Sequence, residues 1–206
     1  MSLKVLFPSQ IYTAPALNPR SKLARELLEE AELLAAKDRA GRDWSSRNYR
    51  RGYTSYGSLD QLHRFSSSFD ELKKQLDPHI PKFLKALGLQ VPAREIQLSR
   101  MWVNVMGEGC SHPMHLHPLS VISGTFYLQT PKEGAVIRFE DPRLDQFMAR
   151  PLAKAVTGQS SAYHYAHKPK AGEIILFESW MKHEVPAHAA KTKRISVSFN
   201  YDWMNA

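Results

Sequence analysis

The stretch HPMHLHP, residues 112–118, places His115 and His117 two positions apart between prolines, with His112 just upstream. On an extended strand, residues two apart point to the same side, so His115 and His117 can offer two imidazoles to one ion. Two ligands make half a site. A catalytic metal needs at least one more ligand from elsewhere, and it must keep positions open for substrate. Cys110 is the only cysteine, which excludes an internal disulfide and a thiolate cage. Any metal here rests on imidazole and carboxylate. Cys110 has no matched base in the sequence and reads as a small filler residue.

These residues need a scaffold, and 206 residues suit one domain with a proper core. With 43% hydrophobic and 23% charged residues, the composition is that of a globular protein. No apolar run approaches the roughly 20 residues that span a bilayer. The N-terminus has too little apolar length before Pro8 to be a secretory signal, so a cytoplasmic location is the expectation. The net charge of +8 permits an acidic partner. Part of it lies in RDWSSRNYRR, where Arg42, Arg47, Arg50 and Arg51 interleave with Trp44 and Tyr49; without a nucleic-acid motif this reads as a solvated loop.

From Ser21 to Asp38 the apolar residues Leu23, Leu27, Ala31 and Leu34 recur at helical spacing after Pro19, which predicts one amphipathic helix. Residues 40–66 show no period and read as loop. SFDELKKQL opens with Ser68 and Glu71 in capping-box spacing, and the pattern runs on through Ile80, Phe83, Leu84 and Leu87 to Gly88, with a break or kink at Pro78. After Pro92 the pattern turns to strand-like runs at 95–106, 121–129, 135–140, 173–179 and 194–203. The class is α+β, mainly β: one domain over 1–206, with 1–92 mostly helical support and loop and 93–206 the β core.

In RISVSFNYDW, Arg194, Ser196, Ser198, Asn200 and Asp202 face one way, and Ile195, Val197, Phe199, Tyr201 and Trp203 the other. In VISGTFYLQ, Ser123, Thr125 and Tyr127 lie opposite Ile122, Phe126 and Leu128. Such polar rows belong either to a wet sheet face or to the inside of a small barrel.

The distal segment carries Gly172, an apolar strand ending near Phe177, then His183, and Arg194 eleven residues later in RIS. With His115-Leu-His117, SGTFYLQTP and AVIRFEDPR before it, residues 95–203 resemble the Fe(II)/2-oxoglutarate-dependent oxygenases, particularly the prolyl-hydroxylase-like branch and its small bacterial relatives. LFPSQIY and GYTSYGSL look like that bacterial group more loosely. The resemblance implies a double-stranded β-helix, or jelly roll, with N-terminal flanking helices. It implies Fe(II) on His115, His117 and His183, with 2-oxoglutarate as co-substrate anchored by Arg194, Ser196 and Tyr127. Asn104 and Asn200 would line the pocket. The implied reaction oxidises a substrate, by hydroxylation above all, and releases succinate and carbon dioxide.

His117 stands where the superfamily normally has a carboxylate ligand. Three imidazoles would hold the metal, or Glu140, Asp141 or, last, Glu184 would complete the site; His112 is expected outside the ligand set. The run from Gly109 to His117 also fits the first cupin spacing, but no Glu follows at the expected interval and Gly172 to His183 is too long for the second. A cupin-like metal dioxygenase without 2-oxoglutarate therefore ranks second, and a noncatalytic jelly-roll binding protein third. For the substrate, loop 42–57 with Trp44, Arg47, Tyr53 and Tyr56, and Trp180 beside His183, offer walls suited to a peptide or an anionic small molecule. Oligomeric state leaves no readable mark.

Overall fold

Ser21 and Gly88 punctuate the helical half of the chain. The computed structural model describes all residues except Met1, Leu3, Arg50, Gly134, Arg150, 152–162, Asn205 and Ala206. Arg50 of the basic stretch thus lies outside the described residues. Helix α1 (Lys22–Lys37) starts where Ser21 Oγ accepts the Ala24 N–H, and it buries Ala24, Leu27 and Ala31.

The predicted loop 40–66 is corrected: it contains helix α2 (Arg39–Asn48) and a short strand. Only Gly41 and Ser45 of α2 are buried, so its inward face has no apolar period to read. Asp38 caps α2 by accepting the Gly41 N–H at 3.0 Å, and also accepts Tyr53 Oη at 2.8 Å and Ser58 Oγ at 2.5 Å.

Helices α3 (Ser67–Leu76) and α4 (Ile80–Leu87) are separated by a 3-10 turn at Pro78, and Gly88 closes α4 at φ 72°. The cap of α3 is Ser66 rather than Ser68: Ser66 Oγ accepts from Phe69 N and donates to Glu30 Oε2 on α1. Glu71, the expected reciprocal partner, is held by Lys74.

The strands are β1 (Ile11–Pro15), β2 (Gly52–Thr54), β3 (Ile96–Met106), β4 (His112–His115), β5 (Ile122–Gln129), β6 (Ile137–Glu140), β7 (His164–His167), β8 (Glu173–Glu178), β9 (His183–Val185) and β10 (Arg194–Trp203). They form a six-stranded sheet, β1-β8-β5-β10-β3-β2, and a four-stranded sheet, β4-β9-β6-β7. All these strand pairs are antiparallel, and the architecture is the jelly roll.

The larger sheet is buried on both faces. Ile174 and Leu176 of β8 join Leu27, Phe69, Leu72 and Phe83 under the helices, while Ile175 and Phe177 join Ile137 and Phe139 of the smaller sheet. On β10, Ile195, Val197, Phe199 and Tyr201 lie in the helix-covered core. Trp203 leaves that row, 41% exposed, with its Nε1 donating to Glu95. The alternate residues Arg194, Ser196, Ser198 and Asn200 face the barrel interior, which decides between the two readings of the polar row. Among the described residues, no helix is long and apolar enough to cross a membrane.

Candidate active site

His115 ends β4 and stands opposite His183 of β9. His117 lies just past the strand, where its N–H donates to the Ser179 carbonyl at 3.0 Å. Even so, one ring nitrogen from each of His115, His117 and His183 comes within 4.8 Å of the other two.

Each imidazole is turned by a bond at its outer nitrogen. His115 Nδ1 is 2.8 Å from the Pro113 carbonyl oxygen, and His183 Nδ1 is 2.9 Å from that of Met181. A carbonyl only accepts, so both Nδ1 atoms carry the proton and both Nε2 lone pairs are free for an ion. His117 Nδ1 lies 2.6 Å from Asn200 Oδ1 and 2.9 Å from Ser123 Oγ, and Ser123 Oγ in turn reaches Asn200 Oδ1 and Ser179 Oγ. Burial is the main cause holding all three imidazoles below their usual pKa; His183 falls well below it and His117 to about 4. They are neutral at pH 7, the state a metal ligand requires.

The alternative carboxylates are engaged elsewhere. Glu140 pairs with Lys182 at 3.4 Å, Asp141 with Arg143 at 2.9 Å, and Glu184 with Arg138. The cluster brought together is therefore three histidines.

A second polar group sits on the same interior face. Arg194 is 3% exposed; its Nη1 donates to Ser196 Oγ at 2.9 Å and approaches Met106 Sδ at 3.7 Å. Its guanidinium carbon lies 5.0 Å from the centre of the Tyr127 ring. Among the described residues, Arg194 Nε and the Tyr127 hydroxyl are buried without hydrogen-bond partners. Burial pushes the Tyr127 phenol up to about 12, against the pull of Arg194, so it remains a donor. Asn104 Nδ2 donates to Ser198 Oγ at 3.0 Å, leaving its buried Oδ1 without a partner. Asn200 orients His117, so its part in the site is at the three-histidine end.

The walls are aromatic. Phe177 lies 4.6 Å from His183 by ring centres, and Trp102 5.9 Å from His117. Trp102 continues outward to Tyr56 at 5.1 Å and from there to Trp44 at 6.3 Å. Trp180 is 46% exposed between β8 and β9. Tyr53 is a correction: its ring packs in the helix-covered core and its hydroxyl is held by Asp38, so it does not face a substrate. Cys110 is buried and its thiol is pushed up to about 11, which suits a filler residue. Sequence reasoning missed Trp102 and Ser179; Ser123 was legible on the polar row of its strand.

Residues 100–200 match the family described as "Putative 2OG-Fe(II) oxygenase". No curated protein matches the chain. Among solved structures it is similar to a prolyl-4-hydroxylase from Pseudomonas putida, with 15% identity over 94% of this chain and 92% of that one and a TM-score of 0.55. It is similar to a Trichoplax adhaerens prolyl hydroxylase in complex with a hypoxia inducible factor oxygen degradation domain peptide fragment, with 15% identity over 95% and 84% and a TM-score of 0.64. A third is HygX from Streptomyces hygroscopicus with nickel, 2-oxoglutarate and hygromycin B bound, with 14% identity over 94% and 83% and a TM-score of 0.60. Those likenesses carry the fold, and the family match spans every strand residue of the three-histidine cluster and its Arg-x-Ser partner. The match over residues 100–200 places the chain with the 2OG-Fe(II) oxygenases, an enzyme family whose fold it shares.

Proposed function

We propose that the enzyme hydroxylates a small molecule or peptide, turning substrate, dioxygen and 2-oxoglutarate into hydroxylated product, succinate and carbon dioxide. His115, His117 and His183 hold the metal, and Arg194, Ser196 and Tyr127 anchor the co-substrate. The observation that carries this reading is Arg194. A buried cation is costly unless an anion meets it, and no carboxylate among the described residues does so. Its planar fork suits a carboxylate, and the unpartnered Tyr127 hydroxyl beside it is a second donor for the same anion.

Bound iron supplies the activation of dioxygen and the oxidising power. The chain's own residues do the rest. The Pro113 and Met181 carbonyls and Asn200 hold the imidazoles in one tautomer and orientation. Phe177, Phe139 and Trp102 pack around the rings and exclude water. The strip Trp102, Tyr56 and Trp44 gives the prime substrate an aromatic wall, with Trp180 on another side. The Trichoplax neighbour holds a peptide and HygX holds hygromycin B; both classes fit an aromatic rim. Residues 1–92 are read as part of the same domain, because α1, α3 and α4 share one core with the larger sheet.

The all-imidazole cluster favours one other reading, a dioxygenase that needs no 2-oxoglutarate. Anaerobic titration with Fe(II) and then 2-oxoglutarate separates the two. A visible charge-transfer band that needs both, and is lost in Arg194→Ala, supports the proposal; iron binding without a band overturns it in favour of the second reading.

A further inference from the structure

On a regular strand His112 and His115, three positions apart, would face opposite sides. Strand β4 is irregular there: its pairing with β9 slips between His112↔Val185 and His115↔His183. Such bulges re-aim side chains beside active sites. The slip turns both rings to one side, where they stack with centres 4.1 Å apart and planes 23° apart. Tyr49 closes the other side of His112, edge to face at 5.2 Å. The ring is thus packed between His115 and Tyr49.

Its place in the barrel follows from its neighbours. His112 lies against His115, and its strand partner Val185 packs with Met106, the residue that Arg194 Nη1 approaches, so His112 links the three-histidine cluster to the surroundings of the buried guanidinium. Neutral or protonated, its imidazole has an N–H to give.

We propose that His112 donates a hydrogen bond to the carboxylate next to the keto group of the bound 2-oxo acid, holding that end of the co-substrate against the metal. The inference rests on the reading above that this barrel binds 2-oxoglutarate. The distal carboxylate belongs to Arg194 and Ser196, and the ring stacked on a metal ligand serves the near one. The extra donor also has a rationale in the ligand set: with His117 in place of a carboxylate, no acidic ligand competes for its N–H.

The test compares 2-oxoglutarate with pyruvate, which has the keto acid end and lacks the distal carboxylate. Both are titrated anaerobically into Fe(II)-loaded wild type, His112→Phe, His112→Asn and Arg194→Met, reading the charge-transfer band and, separately, Fe(II) affinity. His112→Phe keeps the stacking ring and removes the N–H. It should bind both acids about tenfold or more weakly, with Fe(II) affinity unchanged; His112→Asn should recover part of the loss and shift the band, and Arg194→Met should weaken 2-oxoglutarate alone. Unchanged affinities in His112→Phe, a loss confined to 2-oxoglutarate, or a loss of iron would each overturn the inference. Absence of any band in the wild type would instead remove the co-substrate reading beneath it.

Discussion

Arg194→Met should make the co-substrate-free protein no less stable while abolishing its response to 2-oxoglutarate. The native side chain is 3% exposed, donates to one neutral hydroxyl, and keeps an unpartnered Nε. Burying an ion costs several kcal/mol after relaxation, and one hydrogen bond involving a charged group returns about 1.5–3 kcal/mol. Methionine fills similar space, has no charge to desolvate and suits the Met106 surface. The balance is a variant between equal to wild type and about 2 kcal/mol more stable, or about 0–8 °C higher in Tm at this chain length. For wild type, 2-oxoglutarate at a hundred times its Kd adds about 2.7 kcal/mol. The assay is thermal unfolding under nitrogen of protein loaded with Mn(II), with and without 2-oxoglutarate. Wild type should melt at or below the variant without the acid and above it with the acid. An Arg194→Met protein melting many degrees below wild type without co-substrate would show that Arg194 serves the fold, and the reasoning would be wrong.

Asn200→Leu removes the acceptor that orients His117, and metal affinity should fall about 10–100-fold; calorimetry with Mn(II) reads it, and undiminished affinity would release His117 from that control. Asp38→Ala removes the α2 cap and leaves Tyr53 Oη without an acceptor, a loss of about 2–4 kcal/mol in urea unfolding from the cap and the orphaned hydroxyl together; a loss under about 0.5 kcal/mol would contradict the geometry. In metal-free protein, burial holds His117 near 4 and His112 near 3, against about 6.5 in the unfolded chain. Between about pH 6.5 and 4 the unfolded chain takes up protons that the native state refuses, so this contribution is full above pH 6.5 and is lost as pH falls, by at most about 1.4 kcal/mol per pH unit per imidazole. Urea midpoints at pH 7.5, 6 and 5 that do not decline would refute it.

The long strands were legible because their two faces differ: β10 alternates a core row with a polar interior row, and the structure keeps that division from Arg194 to Tyr201. What stayed hidden depends on contacts distant in sequence or on elements too short to show a period. Helix α2 turns Gly41 and Ser45 inward, residues that carry no hydrophobic signal. The partner of Ser66 is Glu30, 36 residues away, and that of His117 is Asn200, 83 residues away. Tyr53 looked like a loop aromatic because its acceptor, Asp38, belongs to the end of another helix.

Strand β10 explains why the legible and hidden parts agree on one site. Asn200 orients an imidazole of the three-histidine cluster, while Arg194 and Ser196 form the proposed anion end, so one strand joins both ends of the proposed pocket. Its pairing shifts register between Ile195 and Ser196 against β5 and between Asn200 and Tyr201 against β3. The irregularities bracket Ser196–Asn200, and within that window both neighbours pair in step. A one-residue slip there would send Ser196, Ser198 and Asn200 into the helix-covered core and bring Val197 and Phe199 into the barrel. The hydrophobic row that holds the helices is thereby also the device that keeps the polar row aimed at the three-histidine cluster.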